Sequence, residues 1–180
     1  MKSGQDVNLT EEDYRGLLTA LEKTALVSMT DAKGNILYAN QKFIDVSKYS
    51  MAELLGQNHR ILKSHHQPDE LFVELWKTIS GGNVWRGEIN NKAKDGTYYW
   101  VDTSIAPILG EDGTPEKYVS VRFLITDKKK VQEDAKKRLE ELEKLNQFMI
   151  GREIRMAELK KEIAELKKVD KKEDNNLSTL

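Results

Sequence analysis

Near the C-terminal end of the chain runs an apolar 3-4 repeat that leaves few folding options. Leu142, Leu145, Met149, Arg152, Met156, Leu159, Ile163 and Leu166 fall at successive a and d positions of a heptad, and seven of these eight are apolar. After Lys128 the chain has one glycine, Gly151, and no proline, and Lys, Glu, Leu and Ala dominate. A single helix has nothing of its own against which to bury such a stripe. Residues 128–168 are therefore expected to form a coiled coil that pairs two copies of the chain into a homodimer. The charged end, residues 169–180, is expected to fray as a disordered tail.

The remaining residues, 1–127, are enough for one packed core. Thr10-Glu11-Glu12-Asp13 is a helix-start signature, followed by Leu17, Leu18 and Leu21 at helical spacing, which predicts a cap helix within residues 1–22. Residues 25–30 and 36–38 read as a hairpin turned at Asp31-Ala32-Lys33-Gly34. Residues 40–55 read as short helices ending at Gly56. Pro68 opens a stretch with Leu71, Phe72, Leu75, Trp76 and Ile79 on one helical face, closed by Gly81-Gly82. Three strand-like runs follow, at 84–90, 98–108 and 118–125, joined through two Asp-Gly pairs. In the last run, Val119, Val121, Phe123 and Ile125 are expected to face the core. The fold class is α+β: a five-stranded antiparallel sheet with helices on one face, between an N-terminal helix and a long coiled-coil helix.

Composition narrows the function. Up to Asp127 there are 14 basic and 18 acidic residues, and after it 15 and 12, so neither part has a general attraction for nucleic acid or an anionic membrane. The absence of cysteine removes disulfides, thiolate chemistry and any cysteinyl adduct with a cofactor, and fits a reducing, cytoplasmic setting. No apolar run approaches the ~20 residues a membrane span needs. No Gly-rich phosphate loop, catalytic triad motif or kinase segment stands out, so an enzyme is not expected.

Several strings, taken together, resemble a PAS domain over roughly residues 20–127: Thr30-Asp31, Gly34-Asn35-Ile36, Tyr38-Ala39-Asn40, Glu53-Leu54-Leu55-Gly56, Lys94-Asp95-Gly96, Tyr99-Trp100-Val101 and Ile125-Thr126-Asp127. That resemblance implies a sensory domain, here residues 23–127. A narrower likeness runs through Leu75-Trp76, Val84-Trp85-Arg86-Gly87, Asn91-Lys92-Ala93-Lys94 and Ser120-Val121-Arg122. These are similar to the FAD-binding PAS domains of aerotaxis receptors and nitrogen-fixation redox regulators. The resemblance implies a flavin pocket at Trp76, Asn91 and Asn58-His59-Arg60, with Asn40 and Trp85 close by. Gly56-Gln57-Asn58-His59-Arg60 also resembles the motif of the flavin photoreceptor (LOV) domains, with His59 in place of their reactive cysteine and Arg122 in place of their last-strand glutamine.

The chemistry agrees. A flavin ring wants an apolar slot, an aromatic neighbour and amides for its polar edge, which Trp76, Asn58 and Asn91 supply, while Arg60 and Lys63 suit phosphates. Each residue also has an ordinary reading: Trp76 as core, Trp85 as packing, Asn91 as a turn former, Arg122 as a surface charge. The three histidines His59, His65 and His66 keep haem open, though the adjacency of His65 and His66 suits chelation poorly. The expectation is a redox- or oxygen-responsive domain binding noncovalent FAD, with FMN possible, signalling through the dimeric coil to an unknown downstream protein. The alternatives are a cofactor-free PAS interaction module and a light sensor working by flavin photoreduction.

Overall fold

A computed structural model of the chain describes residues 9–177, with side chains as far as residue 164. It divides into two compact units, one reaching to Lys129 and the other beginning at Lys130. The first opens with α1 (Glu11–Thr24). The Thr10 hydroxyl accepts from the Asp13 amide while the Asp13 carboxylate accepts from the Thr10 N–H, the reciprocal cap that Thr-x-x-Asp spacing allows. No residue of α1 is buried.

Five strands follow: β1 (Leu26–Asp31), β2 (Ile36–Ala39), β3 (Trp85–Lys92), β4 (Tyr98–Leu109) and β5 (Pro115–Leu124). They form one antiparallel sheet in the order β2-β1-β5-β4-β3. Three pairings are hairpins between consecutive strands. The fourth, β1 with β5, sets Ser28 opposite Ser120 and brings the two ends of the domain together. Between β2 and β3 lie α2 (Gln41–Ser47), α3 (Met51–Leu54), a 3-10 turn at His59–Leu62 and α4 (Asp69–Ser80). Phe43, Leu54, Leu62, Leu75 and Ile79 from these helices share one core with Leu26 and Val101 of the sheet. Each such side chain leaving water contributes roughly 1.5–3 kcal/mol.

The outlook of β5 corrects the sequence-based expectation. Tyr118, Ser120 and Arg122 are the buried residues, whereas Val119 and Val121 are only partly buried and Phe123 is exposed. Because side chains alternate strictly, register decides which set turns inward, and pairing with β1 and β4 selects the polar one. That polar set lines an internal cavity.

From β5 the chain enters α5 (Thr126–Leu177). Its start is fastened to the sheet within the first unit. The Trp100 amide donates to the Thr126 hydroxyl at 2.9 Å, the Ile125 amide donates to the Trp100 carbonyl at 2.8 Å, and Lys129 pairs with Glu88 while its Nζ lies 4.8 Å from the Trp100 ring centre. In the second unit Leu142, Leu145, Met149, Met156 and Ile163 of the seam are exposed. Helical backbone extends past residue 168 to Leu177, over a stretch that holds no proline or glycine. Residues 1–8 of the cap segment and 178–180 of the tail lie outside the described residues.

Candidate functional site

A cavity of about 270 Å³ opens between the helices and the sheet. Two periodicities and a turn build its wall. Phe72, Leu75, Trp76 and Ile79 repeat at three- and four-residue steps along α4, so they present one face. Ile89 and Asn91 on β3, and Tyr118, Ser120 and Arg122 on β5, repeat every second residue and point to the same side of the sheet. The third contribution, Asn58 to Lys63, is the 3-10 turn, pinned by backbone bridges between Asn35 and Asn58 and between Lys63 and Asn91.

The indole of Trp76 meets Tyr118 edge to face, with centroids 5.8 Å apart, and remains 38% exposed. Its far side rests on Gly34, whose φ is +83° and where an added Cβ would stand 2.9 Å from Trp76 Cη2. The β1–β2 turn therefore needs glycine for both conformation and space.

Charge is one-sided in the lining, which holds Arg60, Lys63 and Arg122 and no carboxylate. Lys63 is paired with Asp69, outside the lining, and sits 4.8 Å over the Phe72 ring. Arg122 is 3% exposed and has no acidic partner among the described residues. Its Nη1 donates to Ser28 Oγ at 2.9 Å, its Nη2 donates to His59 Nε2 at 2.9 Å, and its Nε has no partner among the described residues. A guanidinium can only donate, so His59 Nε2 is an acceptor and the ring is neutral with its proton on Nδ1. Burial and then the Arg122 charge hold His59 well below the ordinary imidazole range. Burial lowers Arg122 itself to about 10. Tyr99 is pushed up by burial to about 12. Arg122 lines the cavity, and a buried cation there favours an acceptor or an anion beside it.

Seven of the residues singled out from sequence line this one space: Asn58, His59, Arg60, Lys63, Trp76, Asn91 and Arg122. Asn58 is also a local brace: its Oδ1 accepts from the Arg60 amide and Nε, and its Nδ2 donates to the Lys33 carbonyl. Two others do not belong to the lining. Asn40 caps α2 and is saturated, accepting from the Val27 and Phe43 amides and donating to the Glu22 and Ala25 carbonyls. Trp85 is buried in the core, its ring lying over Gly87 where an added Cβ would stand 2.6 Å away. Sequence reasoning missed Phe72, Tyr118 and Ser120 as wall residues. The available signal was spacing: Phe72 lies four residues before Trp76, and Tyr118 and Ser120 share strand parity with Arg122.

With the geometry in place, comparison with known proteins adds the following. A family model described as PAS domain matches residues 23–130. The nitrogen fixation regulatory protein of Klebsiella pneumoniae is 39% identical over 115 residues, covering 63% of this chain and 23% of that protein. The aerotaxis receptor of Escherichia coli K12 is 36% identical over 106 residues, covering 59% of this chain and 21% of that protein. The chain thus spans less than a quarter of the length of these curated relatives. Among solved structures, one described as "Flavin Analogue Sheds Light on Light-Oxygen-Voltage Domain Mechanism" superposes with a TM-score of 0.57 at 23% identity, over 68% of this chain and 95% of that one, a likeness of fold.

Proposed function

The chain belongs to the PAS domain family, and from that premise we propose that its cavity holds a flavin, FAD in the first instance, noncovalently, and that the domain reports the redox state of that group or the oxygen that sets it. The observation that carries this reading is the charge of the cavity wall: apolar and aromatic sides, three cationic side chains that include buried Arg122, and no carboxylate among the described residues. The residues fit the group. Leu75, Ile79, Ile89 and Ile105 give a flat ring an apolar slot, and Trp76 and Tyr118 give it aromatic edges. Asn91 and Arg122 offer polar groups for the ring edge, and Arg60 and Lys63 suit phosphate oxygens.

When bound, a flavin supplies reversible electron acceptance. The chain's part is to bind, to orient, to exclude bulk water and to balance charge. The sequence holds no cysteine, so a cysteinyl adduct cannot form. His59 Nε2 is engaged by Arg122, which speaks against haem ligation through that atom.

We read the output route as β5 and β3 into α5. Arg122 and Asn91 face the cavity, while Glu88 and Trp100, on β3 and β4, hold Lys129 in the first turn of α5. A small change in either strand would bias that attachment, and the exposed seam of α5 would carry it between two copies of the chain paired as a parallel dimer. Flavin retention after gel filtration tests the assignment. Trp76→Ala and Asn91→Ala are expected to lose flavin, whereas Trp85→Ala lowers stability without a matching loss from the folded fraction. Equal retention by all three and the parent protein would contradict the site.

A further inference from the structure

Arg122 and His59 share one side-chain hydrogen bond at the cavity wall, 94 and 63 positions in sequence separating Arg122 from its two partners Ser28 and His59. The guanidinium donates to a neutral imidazole, and its other fixed partner is the Ser28 hydroxyl. Among the described residues, the groups in contact with the pair are uncharged or cationic. β1 contributes Ser28, α2 contributes the Phe43 ring 5.8 Å from the His59 ring, β4 contributes Tyr99, and Arg60 follows His59 in its own turn. The arrangement stores a cation that a negatively charged ligand edge would draw, and drawing it would free His59 Nε2.

Resting on the flavin reading, we propose that Arg122 and His59 form a charge-gated proton site: negative charge gained by the ligand takes Arg122 as its counter-ion, and the released His59 takes up the balancing proton. Reduction by a two-electron donor such as dithionite then balances as follows. Two electrons and one proton enter the ring, which keeps one net negative charge opposite Arg122. A second proton binds His59 Nε2 in place of the ring. The site as a whole takes up two electrons and two protons. Arg122 acts on the ligand directly, while His59 acts through Arg122 and is a positioning and proton-holding residue.

The coupling is read from the pH dependence of the midpoint potential of the purified, flavin-loaded full chain at about pH 6.5, the ordinary imidazole range. The parent protein is expected to show a two-proton slope and His59→Gln half that slope, each measured on its flavin-loaded fraction; His59→Asn serves if the glutamine variant folds poorly. Arg122→Gln is expected to lower the potential, because the reduced ring loses its counter-ion, while Arg122→Lys keeps most of it. In the ligand-free chain, nuclear magnetic resonance titration of His59 is expected to move upward in Arg122→Gln. Equal slopes in the parent and His59→Gln, with flavin retained by both, would overturn the coupling alone. A chain that takes up no flavin would overturn the flavin reading and the coupling together.

Discussion

Nη2 of Arg122 lies 2.9 Å from Nε2 of His59, and among the described residues no carboxylate lines the cavity that both border. Burial of this guanidinium, without an acidic partner, costs the ligand-free fold. A drop from 12.5 to about 10 corresponds to about 3 kcal/mol at ~1.4 kcal/mol per unit. Replacing it with an apolar side chain of similar length removes that cost. Arg122→Met is therefore expected to match or exceed the ligand-free parent in urea unfolding, by up to about 3 kcal/mol, while losing flavin affinity. Strong destabilisation of ligand-free Arg122→Met would show that the cation is needed for folding itself.

Acid sensitivity follows from His59. Its folded-state pKa is depressed, by burial first and then by Arg122, so the unfolded chain binds more protons near and below the ordinary imidazole value. The stability it contributes is present above about pH 6.5 and is lost as the pH falls toward the folded value, with a slope of up to ~1.4 kcal/mol per pH unit. Denaturant midpoints of the parent should fall between about pH 6.5 and 5, and His59→Gln should flatten that decline. An unchanged slope between those pH values would place the sensitivity in a group other than His59.

Asn40 separates framework from site. It satisfies two amides and two carbonyls where α1, β1 and α2 meet. Asn40→Ala is expected to cost about 2–4 kcal/mol, a lost cap together with newly unpaired buried groups. Flavin affinity per folded molecule should not change. A selective loss of flavin with normal stability would return Asn40 to the binding site.

The order of strands and helices was legible because alternation, helical spacing and Asp-Gly turns are local signals. Which face of β5 turns inward was not. Val119, Val121 and Phe123 look like a core stripe, and only pairing with β1, far away in sequence, turns Ser120 and Arg122 inward. A cavity wall is polar where a packed core is apolar, so the usual rule of apolar side inward chose the wrong side. The residues that hold Arg122 were hidden for the same reason: Ser28 lies 94 positions away and His59 lies 63. Asn40 and Asn58 look alike in sequence, yet one is a saturated cap and the other a brace at the cavity's edge.

Dimerisation through α5 rests on the heptad and on the exposure of Leu142, Leu145, Met149, Met156 and Ile163. Leu145→Lys with Met149→Lys is expected to convert a dimer to monomers in sedimentation equilibrium at micromolar concentration. Arg152→Leu, which restores an apolar d position, should tighten the dimer at least tenfold, since each leucine withdrawn from water gives roughly 1.5–3 kcal/mol. A parent chain already monomeric under those conditions would rule out the coil as the pairing element.

The visible absorption spectrum of the freshly purified full chain tests the central claim most directly. A flavin in the cavity gives the paired bands of an oxidised noncovalent flavin, and denaturation releases the chromophore as FAD. A colourless protein that also takes up neither added FAD nor added FMN would contradict the assignment.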